Sequence, residues 1–465
     1  MKIKDSFFTF LLILTATVFT FWPCLFADFL NWDDQAHLTM NAFLPFHDWH
    51  DVVRLFSFPN TVNGTYIPLT VFSFGLERQL WGLDPFIFHL NNIFLHALTA
   101  ILVCALARRM GLSLKGACVA ALIFALHPMR VESVAWVTER KDVLFGLFYV
   151  STLVLYWDYL KTSRGGYYIG ALICAGLSIL AKPMALSLPL VLFLMDRMAQ
   201  RPRTTTMLWD KVPFILALWP IAMVTAGLNV RFFMVGPPQH FLIAAHALMF
   251  YVIKFFVPVG LTSVYPVPLP VGWGNFAYGG SAFLLALMLI ALWIFRKDRW
   301  VVFAFLFYVC SIFVILPIDL FLGDKGIVSE RFSYIPMIGF ALLVGAAWDR
   351  VFFIGHAQRV AVRGWWLACL LCAVLAGMTF NRCLIWRDSM TYWNDVLRTD
   401  PDHVFALNNR ADCLVSDPLI RARYGLSKTQ AYHMALRDLE QAVRWAPRDA
   451  DSRRNLEKMR AWLGR

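Results

Sequence analysis

Residues 7–26 read FFTFLLILTATVFTFWPCLF, and Asn31-Trp32-Asp33-Asp34-Gln35 follows a few residues later. About 20 apolar residues are enough to cross a bilayer as a helix. The run is longer than the apolar region of a signal peptide, and no small-x-small cleavage site follows it. We therefore expect a retained first span that delivers two adjacent carboxylates to the membrane surface.

The rest of the chain repeats this pattern of apolar runs separated by short polar loops. Of its 465 residues, 59% are hydrophobic and 15% are charged, whereas soluble proteins carry about 25% charged residues. After the run at 7–27, further spans are predicted at 89–107, 113–127, 143–159, 167–181, 184–196, 213–229, 240–258, 279–295, 301–317, 333–349 and 364–380. The composition excludes a soluble enzyme and predicts an all-α polytopic membrane protein.

The net charge of +12 lies in short loops and in the tail, which indicates topology rather than nucleic-acid binding. Twelve crossings would separate the basic loop at 296–299 from the earlier basic loops. All basic loops fall on one side of the membrane if the run at 240–258 lies along the interface and does not cross. This run contains His240, His246 and Lys254. We therefore predict eleven to twelve transmembrane helices, with the basic loops cytoplasmic and the loop at 28–88 extracytoplasmic.

Residues 385–465 differ in composition from residues 1–384 and have helical periodicity. Two predicted helices each end in a turn that contains a proline, Pro401 or Pro447, and each turn is followed by another helix. This pattern is typical of tetratricopeptide repeats. The spacing of the two prolines exceeds one repeat, so an insertion of about 12 residues is expected within 412–427. The sequence predicts a short helical domain here, and the topology places it outside the cytoplasm.

Asp33 and Asp34 form the first candidate site. Adjacent carboxylates at a membrane exit can hold a divalent metal such as Mg²⁺ or Mn²⁺, or supply one general base tuned by its neighbour. The alternative is a solvated turn that ends the first helix. The residue types alone leave both interpretations open.

The stretch from His127 to Asp142 forms the second candidate site. On a helix, Glu139 and Asp142 share a face at a spacing of three residues. Glu132 and Arg140 add charges to the same stretch. These residues can place acids above the bilayer, or they can form internal ion pairs in an interfacial helix.

The third candidate site is the segment from Asp324 to Pro336, together with Lys182 at the end of a short hairpin. Arg331 can bind phosphate through two hydrogen bonds, and Lys182 can add a second positive charge. Both side chains can instead reach along hydrocarbon to the interface.

These phrases, in this order, resemble polyprenyl-phosphate-sugar-dependent glycosyltransferases of the GT-C fold. Within them the chain is similar to the transmembrane and tetratricopeptide-repeat O-mannosyltransferases and their bacterial relatives. The resemblance rests on the Trp-Asp-Asp after the first span and on four stretches: His127 to Asp142, Ser178 to Met184, Lys254 to Tyr265, and Glu330 to Gly339. Two departures are the short repeat region and Pro183, where animal relatives usually have an acidic residue.

The resemblance implies an inverting transfer of a hexose such as mannose from a polyprenyl phosphate, with catalytic acids and phosphate-binding residues in separate roles. The resemblance implies that Asp33 or Asp34 is the base. It also implies that Glu139 or Asp142 is a second acid that orients the acceptor or a metal. The implied phosphate-binding residues are Arg140, Lys182, Glu330, Arg331 and Tyr334.

The expected function is therefore a glycosyltransferase of a bacterial inner membrane with membrane lipid around it. The acceptor is a protein hydroxyl, an envelope glycan or a lipid. A transporter, or a scaffold presenting its repeats, is the alternative from another class. Clustering of the acids at one face favours transfer chemistry over transport, since transporters place acids at mid-membrane.

Overall fold

The structure is a computed structural model that describes residues 3–57, 61–202, 204–229, 236–316, 326–354 and 358–464. Asp324 and Lys325, which the sequence placed in the third candidate site, lie outside these ranges. Helices make up 78% of the residues, and the described part of the chain has no strand beyond one isolated bridge between Val62 and Thr65. The predicted all-α fold is confirmed.

In the described part of the chain, the α-helices are joined by turns and by some longer segments. They are α1 Ile3–Thr20, α2 Trp49–Phe56, α3 Pro68–Trp81, α4 Pro85–Arg109, α5 Leu114–Leu126, α6 Val131–Ala135, α7 Arg140–Thr162, α8 Gly165–Ala181, α9 Leu188–Met198, α10 Thr205–Trp209, α11 Val212–Asn229, α12 Pro237–Phe256, α13 Phe276–Ile294, α14 Arg299–Ile312, α15 Met337–Trp348, α16 Gln358–Cys383, α17 Ser389–Thr399, α18 Val404–Ser416, α19 Pro418–Arg423, α20 Lys428–Trp445 and α21 Ala450–Trp462.

Polar residues set where the apolar helices begin. Asp84 accepts a hydrogen bond from Phe86 N, Ser113 from Gly116 N, and Asp298 from Trp300 N. Such side chains satisfy backbone donors that have no partner within the helix. The caps therefore divide one long apolar sequence into separate helices.

Six described helices are long and apolar enough to cross a membrane, or seven if α5 and the segment after it count as one span bent by 56°. Shorter apolar helices include Asp5–Thr20, Gly165–Ala181 and Arg299–Ile315. Six or seven spans and these three shorter helices make nine or ten candidates among the described residues, fewer than the predicted eleven to twelve crossings. The chain is an integral membrane protein with several candidate spans.

The basic loops meet at one end of the helices, which we call the basic face. Three contacts join them: Arg109 Nε with Asp158 at 2.9 Å, Ser113 N with Asp349 Oδ2 at 2.6 Å, and Arg350 Nη2 with Asp298 Oδ1 at 3.3 Å. Loops that the sequence assigned to one side of the membrane therefore lie together, including the loop at 296–299.

The other end, which we call the acidic face, carries the loop after α1, the turns before α7, Lys182 and the segment before α15. Helix α12 contacts the acidic-face ends of other elements along its length. These contacts join His246 to Ser281 at 3.2 Å, Tyr251 to Ser329 at 3.1 Å, and Phe255 to His127 at 3.0 Å. They favour the prediction that this helix lies along the interface, although its length also suits a span.

The C-terminal helices pack on the acidic face. Pro401 and Pro447 lie in the turns between α17 and α18 and between α20 and α21, as the repeat pattern predicted. Helix α19 falls within the predicted insertion. Trp393 and Leu407 belong to the same apolar core as the membrane helices, while Leu414 and Leu439 belong to a second core. The domain division at 384 remains a prediction.

Candidate active site

Asp34 holds the loop after α1 against the turn before α7. Its Oδ2 accepts a hydrogen bond from Leu30 N at 2.8 Å, and its Oδ1 accepts one from Thr138 N at 3.0 Å and another from the Thr138 hydroxyl. Burial raises the pKa of Asp34 to about 6, although the three hydrogen bonds favour the charged form and act to lower it. Both carboxylate oxygens have partners within the protein, so we infer that Asp34 holds the loop in place.

Asp33 is more accessible than its neighbour. It is half-buried, and its Oδ1 accepts one hydrogen bond, from Asn63 Nδ2 at 3.2 Å. Its carbonyl accepts a 2.9 Å bond from His37 Nδ1. Burial, followed by the charge of Lys141, lowers the pKa of His37 to about 4. The imidazole of His37 is therefore neutral at pH 7, and it is close enough to Lys141 and Glu139 to be influenced by their charges.

Glu139 lies at the centre of a buried charge cluster on the acidic face. Its carboxylate is 3.1 Å from Lys141 Nζ, 3.4 Å from Lys182 Nζ and 3.5 Å from Arg331 Nε. Only 1% of the Glu139 surface is exposed, so these cations offset a charge that burial would otherwise destabilise.

Asp142 and Glu132 complete the cluster. Asp142 pairs with Lys182 and accepts a 2.9 Å hydrogen bond from Ser133 Oγ. Glu132 pairs with the Arg331 guanidinium and accepts a 2.9 Å bond from Arg331 N. We call Glu132, Lys141, Glu139, Asp142, Lys182 and Arg331 the charge cluster. It brings together four of the predicted site residues from three separate stretches.

A buried aromatic cluster adjoins the charge cluster. Trp32 stacks on Trp136 with ring centroids 4.3 Å apart, and the Arg331 guanidinium and Lys141 ammonium lie 5.7 and 5.9 Å from the Trp136 ring. Within the described residues, neither indole N–H has a hydrogen-bond acceptor. Buried tryptophan N–H groups usually have one, whereas these two are buried without a partner, and Trp136 is 1% exposed.

Arg140 lies outside the charge cluster, and its assignment to the phosphate stays a prediction. Its guanidinium donates to Glu77 at 3.1 Å, to Phe88 O at 2.8 Å and to Asn92. The reason is the phase of α7: the helix begins at Arg140 after a 3₁₀ turn, so consecutive side chains diverge. Lys141, which the sequence interpretation passed over, points to Glu139 instead.

Tyr334 and Glu330 also have other partners. The Tyr334 hydroxyl is 2.8 Å from His96 Nδ1 between the membrane helices. Glu330 accepts a 2.7 Å hydrogen bond from Tyr265 and lies 3.8 Å from Arg382. Burial raises the pKa of Glu330 to about 7. Among the described residues, neither side chain forms a hydrogen bond or ion pair with the charge cluster, and their assignment to the phosphate stays a prediction.

The donor set does not fit a divalent metal. The charge cluster holds three carboxylates and three cations, so no negative charge is left to balance a metal ion. Asp34 already accepts three hydrogen bonds from protein donors. In the described residues, no group of three histidine, cysteine or acidic side chains has the geometry of a metal site.

Among curated proteins, the chain is 34% identical over 178 residues to protein O-mannosyl-transferase TMTC2 of Mus musculus, covering 34% of this chain and 20% of that protein. It is 38% identical over 98 residues to human TMTC1, covering 21% and 11%. This chain is similar to protein O-mannosyl-transferases. The resemblance found in the sequence is thereby confirmed, and the matched region spans about a fifth of the TMTC2 protein.

A third relative, protein O-mannosyl-transferase TMTC3 of Mus musculus, is 31% identical over 156 residues, covering 31% of this chain and 16% of that protein. No family model matches the chain. Among solved structures, the Archaeoglobus fulgidus oligosaccharyltransferase tethered to an acceptor peptide aligns with a TM-score of 0.41 and 12% identity, covering 92% of this chain and 59% of that one.

Proposed function

We propose that the chain is a membrane glycosyltransferase that moves a hexose such as mannose from a polyprenyl phosphate to a hydroxyl of a protein. The observation that supports this most directly is the charge cluster on the acidic face, to which the Asp33–Asp34 loop is joined through Thr138 and His37. Similarity to protein O-mannosyl-transferases supports both the sugar and the protein acceptor. We place the protein in a bacterial inner membrane with the acidic face extracytoplasmic.

Asp33 is the proposed general base, because it is the half-buried carboxylate of the pair and has a single side-chain donor. It takes the proton of the acceptor hydroxyl as that oxygen attacks the anomeric carbon of the sugar. The bond from that carbon to the phosphate oxygen breaks, and its electron pair leaves with polyprenyl phosphate. The configuration at the anomeric carbon is inverted.

Lys182 and Arg331 are the proposed phosphate-binding residues. Each is held by buried carboxylates, Lys182 by Asp142 and Glu139, and Arg331 by Glu132 and Glu139. Cations fixed in this way before the reaction stabilise charge that grows on the leaving phosphate. Glu139 and Asp142 then act by orienting these cations, and no step needs a divalent metal.

The test is transfer of radiolabelled mannose from synthetic polyprenyl-phosphate mannose to membranes containing the full chain. We compare the wild type with Asp33→Asn and with Asp48→Asn as the control. Asp48 lies in the same loop, its side chain is 62% exposed, and asparagine caps a helix as well as aspartate does. Loss of transfer of about a hundredfold or more in Asp33→Asn alone would support the base.

The product identifies the acceptor. Label that is released by alkaline β-elimination and becomes soluble on proteolysis lies on serine or threonine of a protein. Label that extracts into chloroform and methanol lies on a lipid and would contradict the protein acceptor. Wild-type activity in Asp33→Asn, or no transfer from any polyprenyl-phosphate sugar, would overturn the proposal and favour a transporter or scaffold.

A further inference from the structure

A second polar site lies on the basic face, on the opposite side of the molecule from the charge cluster. It is a pocket of about 640 Å³ formed by α9, α10 and α14 with the loops before α10 and α14. Five cations line it: Arg197, Arg201, Arg296, Lys297 and Arg299. Two loops that are nearly one hundred residues apart in the sequence thus contribute charge to the same cavity.

One of these cations is balanced within the protein. Arg201 pairs with Asp210 at 2.6 Å and with Asp196 at 3.4 Å, and Asp196 also pairs with the buried Lys211. Two carboxylates therefore balance two cations beneath the pocket. The charges of the other lining residues are additional to this network.

The four remaining cations form no ion pair with the described part of the chain. Arg296 donates to Trp293 O at 2.9 Å, and Asp298, between Lys297 and Arg299, is held by Arg350. No carboxylate is among the described residues that line the pocket. The pocket therefore has an uncompensated positive charge that suits an anion.

The pocket also has an apolar floor. Phe193, Leu194, Phe303 and Leu306 line it, and they are half-buried or buried, while the cations other than Arg201 are exposed at the rim. Trp209 and Trp293 nearby are 71% and 66% exposed. Tryptophan concentrates at the boundary between hydrocarbon and headgroups, so the rim lies at headgroup depth.

We propose that this pocket binds an acidic phospholipid, with the phosphate between the Arg197 and Arg296–Arg299 loops and an acyl chain over Phe193 and Phe303. A free phosphate ion would use the cations but not the floor, and a neutral lipid would use the floor but not the cations. Basic pockets between membrane helices are a known mode of lipid-headgroup binding. Arginine adds bidentate contacts to phosphate oxygens.

The experiment uses the full chain, delipidated in a neutral maltoside detergent, with dioleoyl phosphatidylglycerol as the probe. Bound lipid is counted by native mass spectrometry, and the thermal unfolding midpoint is measured in parallel. The pocket variant is Arg197→Gln/Lys297→Gln/Arg299→Gln. The control variant is Lys161→Gln/Arg164→Gln/Arg363→Gln, which removes the same charge from exposed basic-face positions outside the pocket.

We expect the pocket variant to bind phosphatidylglycerol about a hundredfold more weakly than the wild type, and the control variant to bind it unchanged. Equal weakening in both variants would overturn the proposal, because general surface charge would then explain the binding. Equal binding of dioleoyl phosphatidylcholine to the wild type would also overturn it, since the charges would then be irrelevant.

Two further arms identify the source of the phosphate. Inorganic phosphate that raises the unfolding midpoint as much as the lipid does would show a site for a free anion. Polyprenyl phosphate that displaces phosphatidylglycerol at lower concentration would show a site for the carrier lipid. Either result would overturn the assignment to a phospholipid. The inference does not depend on the transfer reaction, because the pocket and the charge cluster lie at opposite ends of the helices.

Discussion

The indole Nε1 of Trp393 donates a 2.7 Å hydrogen bond to Asn31 Oδ1. This bond connects the first helix of the C-terminal region to the residue two positions before Asp33. Asn31 Nδ2 also donates to Asn409 O at 2.7 Å, and Ser389 Oγ accepts from Asn31 N at 2.9 Å. The C-terminal helices therefore fix the backbone that carries the proposed base, and they belong to the structure of the site.

Replacing Trp393 by phenylalanine keeps a large ring and removes this N–H donor. We expect the proposed transfer activity to fall about tenfold, and the free energy of unfolding by about 1–3 kcal/mol, because Asn31 Oδ1 loses its partner. The matched control is Trp386→Phe, since the Trp386 N–H has no acceptor in the described residues. Equal effects of the two substitutions would mean that ring volume, and not the hydrogen bond, matters.

Lys182 provides a test of the charge cluster. Lys182→Met leaves Asp142 and Glu139 without one of their cations, and an uncompensated buried charge costs about 3–5 kcal/mol. We expect poor folding of this variant, measured as recovery of monodisperse protein in detergent. The double variant Lys182→Met/Asp142→Asn removes the opposite charge too, so it should regain folding.

The same double variant separates stability from chemistry. If Lys182 binds the leaving phosphate, folding returns while transfer of labelled mannose stays at least about a hundredfold below the wild type. Recovery of both properties together would contradict a role in phosphate binding. It would assign Lys182 to stabilising Asp142 alone.

Much of the fold follows from the sequence because its causes are local. Apolar runs, capping residues and basic loops lie close together along the chain, and the structure confirms the helical fold and the grouping of the loops. The site was only partly predictable. The stack of Trp32 on Trp136, and the bond from Trp393 to Asn31, join residues that are far apart in sequence, and no local pattern indicates them.

The choice between Arg140 and Lys141 illustrates a second limit. Adjacent cations on a helix point about 100° apart, so a small change in where the helix begins decides which one faces Glu139. The 3₁₀ turn at Val137–Glu139 sets that phase here. A sequence that places two cations side by side predicts a positive charge but not its direction.

Arg140 should therefore matter for stability. Its pairing with Glu77 is buried, with 1% and 8% of the two side chains exposed. We expect Arg140→Gln and Glu77→Gln each to lower the free energy of unfolding by about 3–5 kcal/mol, and the double variant to lose less than their sum. The KM for polyprenyl-phosphate mannose of folded protein should not change. A raised KM in Arg140→Gln alone would instead support phosphate binding by this residue.

Asp33 and Asp34 should fail in different ways when each is replaced by asparagine. An amide has one acceptor oxygen, so Asp34→Asn cannot accept from both Leu30 N and Thr138 N, and its amino group would face one of these donors. We expect a fall of about 1–3 kcal/mol in stability, with partial activity in the fraction that folds. The Asp33 carboxylate accepts a single exposed hydrogen bond, from Asn63. Asp33→Asn should therefore unfold like the wild type and lose transfer. Thermal unfolding and labelled-sugar transfer on the same preparations measure both properties. If Asp34→Asn proved as stable as the wild type and inactive, the base would be Asp34, and Asp33 would be the positioning residue.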